Sequence, residues 1–207
     1  MAEGGPGRPA KPPAERLGVF GGTFDPVHVG HLAAAVNARH ALDLDRVLLV
    51  VANQPWQKHA RAVTPAADRF DVVEAAVTGV DGIEASPVEV ERGGPSYTAD
   101  TLEELSAGHR GAELFLVIGA DVADDLDSWE RVDAVRELAT LVVVNRPGVR
   151  PTKPLSGWKA VSVEIPALDI SSTDLRARAA NGRPLDFLVP EPAVRLIRQR
   201  GLYAGGR

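Results

Sequence analysis

Two histidines, His28 and His31, stand three residues apart in the run Gly21-Gly-Thr-Phe-Asp-Pro-Val-His-Val-Gly-His-Leu32. On a helix an i, i+3 pair shares one face, so both imidazoles can address one ligand. A helix start adds unpaired N–H groups and the positive end of the helix dipole, which suit a phosphate. Gly21, Gly22 and Gly30 carry no side chain to hold such a ligand off the backbone. Thr23 either satisfies the turn or offers its hydroxyl to a phosphate. Asp25, before Pro26, reads as a turn or cap residue. Zinc is the competing reading of His-x-x-His, but Gly30 lies between the pair and no third ligand is nearby. The segment reads as a nucleotide site. His40, His59 and His109 have no comparable setting and read as solvated surface residues.

A second constellation is Ile170-Ser-Ser-Thr-Asp-Leu-Arg176. Serine or threonine at a helix start caps it and leaves hydroxyls and N–H groups facing an anion. Arg176 follows Ser172 by about one helical turn, so its forked donors can reach the same anion. Taken alone, the segment reads better as a plain helix cap with a surface arginine.

These residues need a frame that brings them together. Four short, nearly continuous apolar runs, 17–20, 47–51, 114–118 and 141–144, read as parallel strands covered on both faces. Further strands are expected at 83–90 and 160–165. Helical patterns occupy 31–41, 66–78, 98–107, 171–180 and 191–200, several closed by glycine or opened by proline. Strand alternating with helix predicts an α/β fold, a doubly wound and mainly parallel sheet in one domain.

The composition agrees. A chain of 207 residues with 44% hydrophobic and 25% charged residues has the balance of a globular domain. A net charge of −5 argues against a broad nucleic-acid surface, although a local donor cluster can still bind small phosphates. There is no cysteine, which excludes thiolate catalysis and disulfides and fits a cytoplasmic setting. No apolar run approaches a membrane span, and residues 1–16, rich in Pro, Gly and Ala, read as a disordered tail. Residues 17–203 form the expected domain.

Together the two constellations resemble the nucleotidylyltransferase superfamily, and within it the bacterial nicotinate-mononucleotide adenylyltransferases. Supporting stretches are Gly94-Pro-Ser-Tyr-Thr98 with Asp100-Thr-Leu102, Ile118-Gly-Ala-Asp121, Ser128-Trp129, Asn145-Arg-Pro-Gly148 and Gly201-Leu-Tyr203. The resemblance implies a Rossmann-like fold and transfer of AMP from ATP to nicotinate mononucleotide, in NAD biosynthesis, with release of pyrophosphate. It implies that His28 and His31 are catalytic. It assigns ATP binding to Gly21, Gly22, Thr23, Phe24, Gly30, Gly119, Asp121, Arg146, Ser171, Ser172, Thr173 and Arg176. Asp121 is expected on the ribose and Arg146 against the adenine.

For the acceptor the resemblance implies Lys58, Ser96, Tyr97, Thr98 and Trp129, with Trp129 stacking on the nicotinate ring. From spacing alone Trp129 reads as a core residue beside Leu126 and Val132. The loop before Lys58 departs from the family's Pro-Pro-His-Lys pattern, since Trp56-Gln57 takes the middle. Arg69, on the helical pattern that follows, reads as a surface charge. Mg²⁺ is expected with ATP, held by phosphates and water without a protein cage. The alternatives are another acceptor, nicotinamide mononucleotide or phosphopantetheine, and a nucleotide sensor without catalysis. The expected partners are small molecules only, and a homo-oligomer stays open.

Overall fold

The computed structural model describes residues 14–55, 63–145 and 155–205. Six strands form one sheet in the order β3-β2-β1-β4-β5-β6, every neighbouring pair parallel. They are β1 (Arg16–Gly22), β2 (Arg46–Val51), β3 (Ile83–Ser86), β4 (Glu113–Gly119), β5 (Ala139–Asn145) and β6 (Ala160–Glu164). Period-two alternation sends Val47, Leu49 and Val51 of β2 into one core and Leu48 and Val50 into the other. Both faces are covered, which is why these strands read as continuous apolar runs.

The first core is closed by α1 (Val29–Ala41), α2 (Ala66–Val77), α7 (Ser172–Ala180) and α8 (Glu191–Gln199). On the opposite face lie α4 (Thr98–Gly108), α5 (Ala120–Ala123) and α6 (Val132–Leu138). The chain builds outward from β1 through β2 to β3, then returns to β4 on the other side of β1. The crossovers diverge there, opening a crevice at the carboxyl ends of β1 and β4, the general ligand position in such sheets.

Three local features depart from the sequence reading. β1 takes in Arg16, and Glu15 beside it pairs with Arg46. The expected strand 83–90 ends at Ser86. Pro87 has no N–H to continue the ladder, and the chain turns into α3 (Val88–Arg92), closed by Gly93 at φ +72°. The crossover from β4 to β5, which carried no expected element, consists of α5, a 3₁₀ turn at Leu126–Ser128 and α6. These pieces are too short for a clear apolar period.

The turn into α3 buries a carboxyl group. Glu89 is only 6% exposed and accepts a hydrogen bond of 2.6 Å from Thr101 Oγ1, which in turn accepts one of 3.0 Å from Arg92. Burial pushes the Glu89 carboxyl above the usual range, against the opposing pull of hydrogen bonds from Ser96 and Thr101. The folded state therefore holds its proton to higher pH than the unfolded chain. Stability falls as pH rises from the ordinary carboxyl value through the raised folded one. Glu89→Gln lacks that loss. Its melting temperature relative to the parent should rise as pH increases upward from the ordinary carboxyl value. A difference independent of pH, measured by thermal unfolding, would contradict this account.

Candidate active site

The carboxyl end of β1 delivers Gly21, Gly22 and Thr23 to the mouth of the crevice. Phe24 follows with a left-handed backbone, φ +47°, and is 2% exposed. Its ring meets His31 edge-on, with centroids 5.0 Å apart, and fills the space a Cβ on Gly22 would need. The Phe24 ring thus packs against His31, beside the expected nucleotide contact at this loop.

His28 is the N-cap of α1 and His31 lies in its first turn, so the pair does not sit along one helical stripe as the spacing suggests. The rings nevertheless stack, with centroids 3.7 Å apart and planes inclined by 27°. Gly30 permits this arrangement, because a Cβ there would lie 3.0 Å from His28 Nδ1. Its missing side chain makes room for the histidine itself. The His28 backbone N–H donates to His31 Nδ1 at 3.2 Å. An N–H can only donate, so His31 Nδ1 accepts and the neutral ring carries its proton on Nε2. That ring presents a donor on its far side.

The late segment docks directly on this loop. Ser171 caps α7, its Oγ accepting from the Asp174 N–H at 3.1 Å and donating to the Asp174 carboxylate at 2.6 Å. Ser172 Oγ donates to the Pro26 carbonyl at 2.9 Å. Arg176 donates to the Asp25 carbonyl at 2.5 Å and to Thr173 Oγ1 at 3.1 Å. Its guanidinium also lies 3.9 Å from the carboxylate of Asp25, which is 2% exposed and structural, as read. Two segments about 150 residues apart in sequence therefore meet at the start of α1.

The other half of the site is a cavity of about 460 Å³ between the ends of β1, β2 and β4. Gly21, Gly22, Thr23, Ser96, Thr98, Gly119, Asp121 and Trp129 line it, as does Glu89. His28, His31 and the α7 residues are not part of its wall; they gather at the start of α1, a group we term the histidine shelf. Tyr97 lies outside the wall as the N-cap of α4, so the first turn of that helix opens beside Thr98. The Ser96 turn is pinned to the chain after β2: Ser96 Oγ accepts from the Asn53 N–H at 2.8 Å and Ser96 N–H donates to the Gln54 carbonyl at 3.1 Å. Trp129 occupies the boundary between the two environments. It packs against the second core and faces the cavity. The Asp121 carboxylate folds back toward Gly119. Lys58 and Arg146 lie outside the described residues.

Arg69 overturns its surface reading, being 1% exposed. The signal was present, because Arg69, Val72, Val73 and Ala76 share one buried stripe of α2. Among the described residues no group of three or more His, Asp or Glu side chains could hold a metal ion. No helix among them is long and apolar enough to cross a membrane.

The cytidylyltransferase-like family matches residues 19–178. A probable nicotinate-nucleotide adenylyltransferase of Corynebacterium kroppenstedtii is 45% identical over 91% of this chain and 90% of its own. Its namesake in Streptomyces coelicolor is 44% identical over 90% of this chain and all of its own (100%). Among solved structures, the Plasmodium falciparum nicotinic acid mononucleotide adenylyltransferase complexed with NaAD superimposes with a TM-score of 0.74. It covers 91% of this chain and 97% of that one at 17% identity, a likeness of fold. With the docked histidine and serine segments at the switch point of the sheet, this chain belongs to the cytidylyltransferase-like family and, within it, to the nicotinate-nucleotide adenylyltransferases.

Proposed function

We propose that the protein transfers AMP from ATP to nicotinate mononucleotide, forming nicotinate adenine dinucleotide and pyrophosphate in NAD biosynthesis. The observation that carries this reading is continuity. Gly21, Gly22 and Thr23 line the cavity and run on through residues 24–27 to the histidines at the start of α1, so two nucleotides can meet there.

ATP lies on the shelf, its phosphates against the start of α1 and the far side of the histidine rings. Gly21, where a Cβ would meet open space, lets the phosphates approach the backbone. The adenosine extends toward Gly119 and Asp121, with Arg146 beside the base. Nicotinate mononucleotide fills the cavity, its ring against Trp129 and its carboxylate toward the N–H groups at Ser96, Tyr97 and Thr98. Lys58 is assigned to the acceptor by resemblance alone.

A 5′-phosphate oxygen of the acceptor attacks the α-phosphorus of ATP in line. The bond from that phosphorus to the bridging oxygen breaks, and pyrophosphate leaves with the electron pair. The step forms no covalent bond to the protein and needs placement and charge stabilisation. His31 donates from Nε2 to the oxygens that gain charge, and His28 stacks against it to hold that direction. Arg176 and the α7 start keep the shelf in register. A divalent cation such as Mg²⁺ would enter with the triphosphate and offset its charge, held by phosphate oxygens and water. A cytoplasmic setting suits these substrates.

Purified protein with ATP, Mg²⁺ and nicotinate mononucleotide should release pyrophosphate well above the rate without acceptor. Background release with the acid, alongside brisk release with nicotinamide mononucleotide or phosphopantetheine, would reassign the acceptor. His31→Ala should lower kcat by roughly 10²- to 10³-fold, the usual cost of one transition-state donor, at near-parental melting temperature. Equal losses of activity and stability would assign His31 to packing. Trp129→Ala should raise KM for nicotinate mononucleotide about tenfold, the scale of one aromatic stack, and leave KM for ATP nearly unchanged. An unchanged acceptor KM beside a collapsed melting temperature would return Trp129 to the core.

A further inference from the structure

Arg69 is a buried cation that the chemistry above leaves unused. Its side chain donates to three backbone carbonyls: Thr64 at 2.7 Å from Nε, Thr23 at 2.7 Å and Asn53 at 3.2 Å from the two terminal nitrogens. Each carbonyl belongs to a different stretch of chain. Thr23 follows β1, Asn53 follows β2, and Thr64 precedes the helix that carries Arg69. None of these partners is a carboxylate, so the arrangement is not an ion pair placed for its own stability. Burying a guanidinium carries a desolvation cost that a leucine or methionine at the same place on the α2 stripe would avoid. Something other than core packing explains the residue.

What the three carbonyls share is their position at the carboxyl edge of the sheet. A carbonyl held by a rigid planar donor fixes its whole peptide plane. The Thr23 plane leads into Phe24, which backs His31, and into Asp25, whose carbonyl receives Arg176. The Asn53 plane leads the other way. Asn53 N–H donates to Ser96 Oγ and its side-chain amide donates to the Gly94 carbonyl at 2.9 Å, so the turn beside the cavity hangs from Asn53. One guanidinium therefore joins the loop of the histidine shelf to the loop of the acceptor cavity. The electrostatics have the same two-sided form. Burial lowers the Arg69 pKa, and the pull of Asp25 on the shelf side and of Glu89 on the cavity side, with Tyr203, opposes this. Its partners span both halves of the site.

We infer that Arg69 is a positioning residue for the transfer reaction: its three-carbonyl clamp sets the spacing between the ATP shelf and the acceptor cavity. This rests on the proposed adenylyl transfer. An ammonium cannot reproduce it, because a lysine head is a compact point charge without the planar fork that reaches three separated oxygens.

The test compares three full-length proteins at a temperature where far-UV circular dichroism shows all of them folded: the parent, Arg69→Lys and Val72→Ala. Val72 is fully buried on the same helix, and its truncation loosens the same core without touching a loop carbonyl. Initial rates of pyrophosphate release are measured against ATP and, separately, nicotinate mononucleotide. Arg69→Lys should lower kcat/KM for nicotinate mononucleotide by about a hundredfold, the scale of a misplacement near one ångström, with part of the loss in kcat at saturation of both substrates. Val72→Ala should stay within about twofold of the parent despite a lower melting temperature. Kinetic constants for Arg69→Lys within about twofold of the parent would overturn the inference, as would a Val72→Ala protein showing the same kinetic loss. If Arg69→Lys does not fold, Arg69→Gln, which keeps an amide donor and drops the charge, carries the same comparison. The parent's own turnover tests the adenylyl-transfer reading, so an inactive parent and a kinetically silent Arg69 variant are separate outcomes.

Discussion

The architecture of the site turns on a contact between segments distant in sequence: Arg176 on the carbonyl of Asp25 and Ser172 on the carbonyl of Pro26. The sheet alone brings the start of α1 to the crevice but does not fix the loop that precedes it. That loop carries a left-handed phenylalanine and leads into a histidine cap, neither of which a free chain would favour. Carbonyl oxygens accept without any charge of their own, so the donors must come from elsewhere in the fold. The last βα unit supplies them. The late helix thereby holds the loop that leads directly into the stacked histidines.

Those same bonds show why some of the site could be read from the sequence. The glycine–histidine run and the serine run each announce themselves by residue type and spacing, and their meeting follows from a parallel sheet with β1 at its centre. The strands were legible because burial on both faces leaves an uninterrupted apolar run. The packing inside the motif was not legible. A side chain at Gly30 would meet the His28 imidazole, and the Phe24 ring packs edge-on against His31. Periodicity reports which face is buried, not what fills the space left by a missing side chain.

The region between β4 and β5 was hidden for a different reason. Its helices are only a turn or two long, so no repeat of apolar residues can develop before the chain changes direction. Arg69 was misread because charge outweighed position. Its place on the apolar stripe of α2 was visible, and the charge then implied that neighbouring carbonyls must satisfy it. Glu89 was concealed by the alternation of Val88 and Val90, which mimics a strand until Pro87 ends the ladder.

The two halves of the site are carried by separate parts of the chain. The shelf uses α1 and α7 on one face of the sheet, whereas the cavity wall draws Trp129, Asp121 and the Ser96 turn from segments on the other. This partition has an evolutionary consequence. Changes in the short β4–β5 crossover can reshape the chamber for the second nucleotide without crossing the core behind the histidines. Among the described residues, this short-helix crossover shapes the cavity from the face of the sheet opposite the histidines.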